Sequence, residues 1–168
     1  MDPTDLKAVQ APIKERYRKS PSSAVVTLRA RGSVDNQAIS CKVETGQALA
    51  VAGLHPATGG SGLELCSGDM LLEALVACAG VTLKSVATAI DFNLDGGRIE
   101  AEGDLDFRGT LAVDKEAPVG FRSIRLSFDL DTDEPPDRID TLVRLTERYC
   151  VVLQTLVGDL DFSLSTSS

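Results

Sequence analysis

The feature that most constrains the fold is a helix-forming segment near the middle of the chain that is apolar on nearly every side. It runs from about Ser67 to Asp91, and the charged residues within it are few: Asp69, Glu73 and Lys84, before Asp91 closes it. A helix without a wide polar face has to be buried on more than one side. We therefore predict a central core helix, with Ser67 or Asp69 as its N-cap.

The length of the uncharged part of this segment also bears on a membrane role. The longest stretch without a charged residue runs from Ala74 to Leu83. It suits a buried core helix and is far shorter than the roughly 20 residues that a membrane span needs.

The segments around the central helix alternate between apolar and polar residues. Residues 24–54 predict a three-stranded antiparallel meander, and residues 98–111 and 121–131 predict two further strands after a turn at Gly96-Gly97. Pro135-Pro136 opens a last helix that Gly158 ends, and residues 159–165 read as a short terminal strand. The resulting class is α+β, with an antiparallel sheet around a buried central helix.

The domain organisation follows from the same pattern. We predict a helical extension over residues 1–23, interrupted near Pro12, and a single domain over residues 24–168. One sheet covers only one face of the central helix, so the opposite apolar face needs another partner. A homodimer with twofold symmetry is the commonest solution and is what we expect.

Charge and composition exclude several functional classes. The chain of 168 residues has a formal net charge of −8 and a sequence pI of about 4.6, without a tryptophan. Nucleic acids and anionic membranes attract Lys/Arg-rich surfaces, so neither is an expected partner. The first ten residues lack a basic region followed by an apolar run, which predicts no signal peptide and a cytoplasmic location. Four cysteines in that compartment would be reduced, and a disulfide among them would be transient.

Two cysteines lie on the apolar faces of two different predicted helices. Cys78 follows Leu71 and Leu75 on the central helix, and Cys150 follows Val143 and Thr146 on the last helix. If the two helices meet, the cysteines form a candidate dithiol/disulfide pair. If they do not, both are inert residues of the core, where free cysteine is common.

The other cysteines and the histidine leave alternatives open. Cys78 lies mid-helix, so a side chain elsewhere has to stabilise its thiolate, whereas Cys66 precedes the helix and is better placed by the helix dipole. Cys41 falls within a strand pattern and is interpreted as structural. The chain has a single histidine, His55, and no zinc-ligand spacing, which predicts no metal site. A hydrolase built on Ser67, His55 and Asp69 would lack the usual nucleophile elbow.

The segment from Cys66 to Ile90, with residues 147–156 (ERYCVVLQTL), resembles the OsmC/Ohr family of osmotically induced and organic hydroperoxide resistance proteins. The resemblance covers residues 24–166 and implies an intertwined homodimer wrapped around two central helices. It also implies thiol peroxidase chemistry without a cofactor or metal. Cys78 would attack an organic hydroperoxide or H₂O₂, and Cys150 would resolve its sulfenic acid to a disulfide that an external dithiol reduces.

The chain departs from the family pattern at the residues that activate the first thiol. Gly68 occupies the usual glutamate position, Asp69 one residue later is the candidate to substitute for that acid or else only caps the helix, and the activating arginine before the helix is missing. Arg31 or Arg29 on the first strand, or His55, are the candidates to replace it, and Val151 stands where the family has a proline. Three functions follow: a two-cysteine peroxidase, a redox-inert dimer that binds a small hydrophobic ligand, and an oxidative-stress sensor.

Overall fold

The computed structural model describes residues 31–34, 40–44, 49–112 and 114–166, together with Thr4, Ala8, Ala11, Glu15, Lys19 and Ser20. In the N-terminal segment, all of these single residues except Ser20 are helical, and the Lys19 ammonium lies 3.4 Å from the Glu15 carboxylate. The predicted helical character of this segment is present at these positions. The proposed boundary at residue 23 lies outside the described residues and stays a prediction.

The central helix, α1, spans Ser67–Ala89. Its N-cap is Cys66, which makes no side-chain capping hydrogen bond, so the prediction that Ser67 or Asp69 caps the helix was wrong. A Cβ atom on Gly80 would lie 3.3 Å from Ile99 Cδ1, and the glycine therefore lets α1 approach a neighbouring strand closely.

Within one chain, α1 buries a single face rather than several. The buried residues recur at helical spacing: Leu75, Ala79, Leu83, Val86 and Ala87. On the other side, Val81 is 74% exposed, whereas Leu71, one turn before Leu75 on the edge of the buried face, is 38% exposed. By length and composition alone, the 23-residue helix is apolar enough to cross a membrane. From the sequence it was expected to be too short for this, because its stretch without charged residues is short. The core helix of a soluble protein meets the same criterion, and the packing of Leu75 and Leu83 favours a core role.

The N-terminal strands form the predicted antiparallel meander. Strands β1 (Arg31–Val34), β2 (Ser40–Glu44) and β3 (Leu49–Gly53) pair in that order. A short strand that the sequence pattern missed, β4 (Leu65–Cys66), then pairs parallel to β3 and leads directly into α1. A 3-10 helix over Pro56–Thr58 lies between β3 and β4.

The second sheet is a long antiparallel hairpin of β5 (Gly96–Leu105) and β6 (Phe121–Asp131). Burial alternates along both strands, as the sequence pattern predicted. Two local predictions were wrong: Gly96-Gly97 begins β5 instead of forming a free turn, and residues 107–110 form a short helix, α2 (Phe107–Thr110), instead of extending the strand. Gly97 has φ 153°, and a Cβ there would lie 2.6 Å from the carbonyl oxygen of Asp129.

The C-terminal helical region is divided in two. Helix α3 spans Pro136–Tyr149 with Pro135 as its N-cap, and helix α4 spans Val151–Val157 with Gly158 as its C-cap. The predicted start and end are confirmed, but the prediction of one continuous helix was wrong because the chain turns at Cys150. The predicted terminal strand was also wrong: described residues 159–166 pair with no strand, and Phe162 and Leu164 are 86% and 93% exposed.

The core connects these elements through α1. At its C-terminal half, Leu83, Val86 and Ala87 pack with Phe92 and with Leu142 of α3. At its N-terminal half, Leu75 and Ala79 pack with Cys150 and with the inward side chains of β5 and β6. The α+β class is therefore confirmed, with two separate sheets among the described residues in place of one.

Candidate active site

Helix packing brings the two predicted site cysteines together. Cys78 on α1 and Cys150 between α3 and α4 belong to the same cluster, with Leu75 and Ala79 fully buried beside them. The Cys150 side chain forms a hydrogen bond with the Cys78 side chain. The two thiols, which lie far apart in the sequence, are therefore neighbours in the folded chain.

The turn of the chain at Cys150 supplies this site with backbone donors. Cys150 is at once the C-cap of α3 and the N-cap of α4, with φ −73° and ψ 108°. The helical ladder of α3 ends with the bond from Cys150 N–H to the Thr146 carbonyl, at 2.9 Å. The ladder of α4 begins with the bond from Gln154 N–H to the Cys150 carbonyl, also at 2.9 Å. The first three N–H groups of α4 are therefore left without a helical acceptor.

The two sulfur atoms accept the hydrogen bonds of these three N–H groups. Val151 N–H donates to the Cys78 sulfur, Val152 N–H donates towards both sulfurs, and Leu153 N–H donates to the Cys150 sulfur. Donors that a helix start usually leaves to water or to a capping side chain are here used to stabilise sulfur.

Burial and hydrogen bonding act in opposite directions on the pKa of Cys78. Burial has the largest single effect and raises it. Hydrogen bonds to the sulfur lower it and together leave the pKa of Cys78 below the ordinary value of a cysteine thiol. In order of effect, the donors are Val152 N–H, the Cys150 side chain, Val151 N–H and the Thr82 hydroxyl. All of these groups are neutral, so within the described part of the chain the thiolate is stabilised by dipoles and not by an adjacent cation.

The pKa of Cys150 is shifted in the other direction. Burial raises it most, and the negative charge of the neighbouring Cys78 thiolate raises it further, against the lowering effect of the Leu153 and Val152 N–H groups. Cys150 is 0% exposed, whereas Cys78 is only partly buried. When the pair loses a proton, the negative charge therefore lies preferentially on Cys78, the thiol that a small molecule reaches first.

An apolar cavity borders the side chains that pack around the thiol pair, although neither cysteine lines it. Its volume is about 280 Å³, and its lining includes Leu75 and Leu153, which also pack in the cluster around the two cysteines. Arg122 contributes the only charged side chain of the cavity lining. This surrounding favours small molecules with an apolar body.

The supporting residues suggested by the sequence lie elsewhere or are described only in part. Asp69 is in the first turn of α1, about 13 Å along the helix axis from Cys78. It lines a separate cavity with His55 and Cys66. Arg31 begins β1, and its backbone pairs with that of Glu44. The side chain of Arg31 and the whole of Arg29 lie outside the described residues. A role for Arg31 or Arg29 in activating Cys78 therefore stays a prediction.

The backbone donors of α4 were not predicted from the sequence. The group that stabilises the Cys78 thiolate was expected to be a side chain because Cys78 lies mid-helix, whereas the donors are N–H groups at the start of another helix. One signal could have revealed them: the family pattern has a proline after the second cysteine, and proline is typical of the first position of a helix. Val151 occupies that position here and, unlike proline, carries an N–H group.

Comparison with known proteins places this geometry in a family. The family model of the OsmC-like proteins matches residues 60–165, which is more than half of the chain. The chain therefore belongs to the OsmC-like family. No curated protein sequence matches it.

Solved structures of this family share the fold at low sequence identity. An OsmC-like protein from Mycoplasma pneumoniae superposes with a TM-score of 0.66 at 16% identity, over 79% of this chain and 89% of that one. The organic hydroperoxide resistance protein OsmC from Legionella pneumophila gives 0.62 at 16% identity, over 82% and 94%. A protein from Vibrio cholerae described as an organic hydroperoxide resistance protein, with captopril bound in one of its active sites, gives 0.55 at 16% identity, over 82% and 90%.

Proposed function

We propose that this protein is a thiol peroxidase that reduces organic hydroperoxides, and more slowly H₂O₂, in defence against oxidative stress. The observation that carries the proposal is the packing of Cys78 and Cys150 in one cluster at the start of α4, whose first N–H groups lower the pKa of Cys78. This arrangement provides a stabilised thiolate and a second thiol packed in the same cluster, which are the two requirements of two-cysteine peroxide reduction. Membership of a family that includes organic hydroperoxide resistance proteins agrees with it.

In the first step, the Cys78 thiolate attacks one oxygen of the hydroperoxide. The O–O bond breaks, the alkoxide takes up a proton to leave as the alcohol, and Cys78 becomes a sulfenic acid. Partial exposure of Cys78 and full burial of Cys150 make Cys78 the first thiol that the peroxide meets.

In the second step, the Cys150 sulfur attacks the sulfenic sulfur. A disulfide forms, the S–O bond breaks, and water leaves with the Cys150 proton. The pKa shifts favour reaction of Cys78 before Cys150. The negative charge on Cys78 raises the pKa of Cys150, and this effect disappears once Cys78 is oxidised, so that Cys150 ionises more readily for the second step. An external dithiol then restores both thiols by exchange.

The test is steady-state consumption of cumene hydroperoxide by the reduced protein with a dithiol such as dihydrolipoamide as electron donor. We expect repeated turnover, with a higher kcat/KM for cumene hydroperoxide than for H₂O₂ because the adjoining cavity is apolar. Consumption no faster than that of the dithiol alone would contradict the proposal.

The same cavity carries the second candidate function, the binding of a small hydrophobic ligand by a redox-inert protein. Its lining of leucines, Phe121 and Ile124 is suited to such a ligand without any thiol chemistry. This candidate predicts that all thiols remain after peroxide treatment, and that an apolar fluorescent probe binds equally to the wild type and to Cys78→Ser.

We further propose that the protein acts as a cytoplasmic homodimer. The exposed apolar side of α1, where Val81 is 74% exposed, supports a second copy as the covering partner. Sedimentation at micromolar concentration is expected to give twice the chain mass of 17.8 kDa. A monomer would overturn this assembly without affecting the thiol chemistry.

A further inference from the structure

The N-terminal end of α1 carries a third thiol, Cys66, at two adjoining cavities whose linings share only Phe121 with the cavity near the thiol pair. Their volumes are about 420 and 340 Å³, and both are lined by His55, Cys66, Gly68, Leu105, Phe107 and Phe121. Neither lining includes Cys78 or Cys150. Cys66 lies about 18 Å from Cys78 along the axis of α1, which is too far for the two thiols to form a disulfide.

Three groups converge on Gly68 at this end of the helix. A Cβ atom built on Gly68 would lie 3.6 Å from the Cys66 sulfur and 3.5 Å from both Phe121 Cζ and Leu105 Cδ1. The sulfur atom and these two apolar side chains therefore border the same small space beside Gly68. The larger cavity has mainly apolar walls and can hold an apolar molecule next to the partly exposed Cys66 thiol, whereas the smaller one also carries the carboxylates of Asp69 and Asp104.

His55 adds a polar donor to the same walls. Its ring stacks on Phe107, with 5.0 Å between the centroids and 17° between the planes. Its Nδ1 accepts a hydrogen bond of 3.0 Å from Ala57 N–H, so the neutral ring carries its hydrogen on Nε2. The imidazole is thus fixed by two contacts, and Nε2–H is the donor that it offers to a ligand.

We propose that Cys66 and His55 form a second site, which captures small apolar α,β-unsaturated carbonyl compounds. The apolar body of the ligand lies against Leu105, Phe107 and Phe121, and its carbonyl oxygen accepts the hydrogen bond from His55. This proposal does not depend on the peroxidase function.

The reaction is an addition that needs no further reactant. The Cys66 sulfur forms a bond to the β-carbon, the C=C π bond breaks, and the proton lost by the thiol ends on the α-carbon. Nothing leaves, so every atom of thiol and ligand is retained in the adduct. Exchange with a disulfide fits the site less well, because no second cysteine among the described residues lines either cavity to release the bound thiol.

The test uses trans-2-nonenal as an apolar probe and acrolein as its short counterpart, with intact mass and peptide mapping of the reduced protein. We expect a stable adduct at Cys66 whose rate saturates with nonenal concentration, as binding before reaction requires. Cys66→Ser should lose this adduct and keep peroxide consumption, and serine suits an N-cap, so the variant should fold. His55→Phe, which keeps an aromatic ring against Phe107, should slow the reaction several-fold.

Gly68→Ala provides the matched control for the cavity. The added methyl group meets its neighbours at ordinary contact distance, so it narrows the space without a clash, and alanine is the better helix former. We expect it to slow nonenal addition about tenfold and to leave acrolein addition nearly unchanged. Three results would overturn the proposal. They are a rate of nonenal addition that does not saturate with nonenal concentration, an adduct that spreads evenly over the cysteines, and a Gly68→Ala variant that reacts as fast as the wild type.

Discussion

Two thiols on or next to one helix lie in opposite kinds of surroundings. Cys78, in the middle of α1, has a second thiol and two backbone N–H groups on its sulfur. Cys66, at the N-terminal end that the helix dipole favours, instead lines a mainly apolar cavity with an imidazole and a smaller cavity that also holds two carboxylates. The difference teaches that the position of a cysteine on its own helix is a poor guide to its chemistry. The start of a neighbouring helix can supply the donors that the thiol's own helix lacks.

The largest expected effect is the loss of peroxide consumption when Cys78, but not Cys66, is replaced. Cys78→Ser should reduce dithiol-driven consumption of cumene hydroperoxide on the order of 10³-fold or more, because the nucleophile is lost. Cys66→Ser should retain the wild-type rate within about twofold, since Cys66 lies about 18 Å away. Equal rates for wild type and Cys78→Ser would remove Cys78 from the mechanism.

The next effect concerns the partner of Cys78. Cys150→Ser should reduce the first equivalent of peroxide and then lose catalytic turnover, because the sulfenic acid has no second protein thiol to condense with. Excess peroxide should then add about 32 Da to Cys78 as it reaches sulfinic acid. Intact mass spectrometry during titration measures both outcomes, and continued turnover of this variant would show that Cys150 does not resolve the intermediate.

A smaller effect isolates one backbone donor. Val151→Pro removes the N–H that donates to Cys78, while proline suits the first position of α4 and the extended conformation of Cys150 before it. The pKa of Cys78 should rise, so the half-maximal alkylation rate moves to higher pH and the rate at pH 7 falls about three- to tenfold. The wild-type midpoint should lie below that of an ordinary cysteine, since the thiolate fraction grows as pH rises through the lowered pKa.

Val151→Ala is the control for that substitution because it changes the side chain and keeps the N–H group. It should leave the midpoint of the pH profile within a few tenths of a unit of the wild type. A shift of the same size in both variants would assign the effect to packing of the side chain and not to the lost donor.

The smallest expected effect comes from the hydroxyl donor. Thr82→Val removes the hydroxyl, whose effect is the least of those that lower the pKa of Cys78, and keeps the branched shape. We expect a rise of the pKa in the same direction and a loss of about two- to threefold in the alkylation rate at pH 7. Thr82→Ser, which retains the hydroxyl, should restore most of the rate.

Much of the fold was predictable because it depends on local patterns. Apolar and polar residues alternate along β1–β3, β5 and β6, and this local pattern specifies the strands. A proline and a glycine mark the two ends of the C-terminal helical region in the same local way. The short parallel strand β4 was not predictable, because two residues cannot show a period of two. The terminal segment at Phe162 alternates like a strand, yet no strand of the same chain pairs with it among the described residues.

The site was predictable only in its two cysteines. Their side chains fall on apolar helix faces, which helical periodicity reveals, and their pairing was a hypothesis until the helices were placed. No turn-forming residue in the sequence marks the break between α3 and α4 at Cys150, since valine follows the cysteine directly. Backbone N–H groups have no residue identity, so a search among side chains could not find the donors to Cys78.

The most direct test of the central claim is a single-equivalent oxidation. Reduced protein is treated with one equivalent of cumene hydroperoxide, and the thiols are counted while the intact mass is measured. The account predicts the loss of two thiols and a decrease of about 2 Da, with the new disulfide mapped to Cys78 and Cys150. Four remaining thiols at unchanged mass would contradict it and leave the cysteines as core residues.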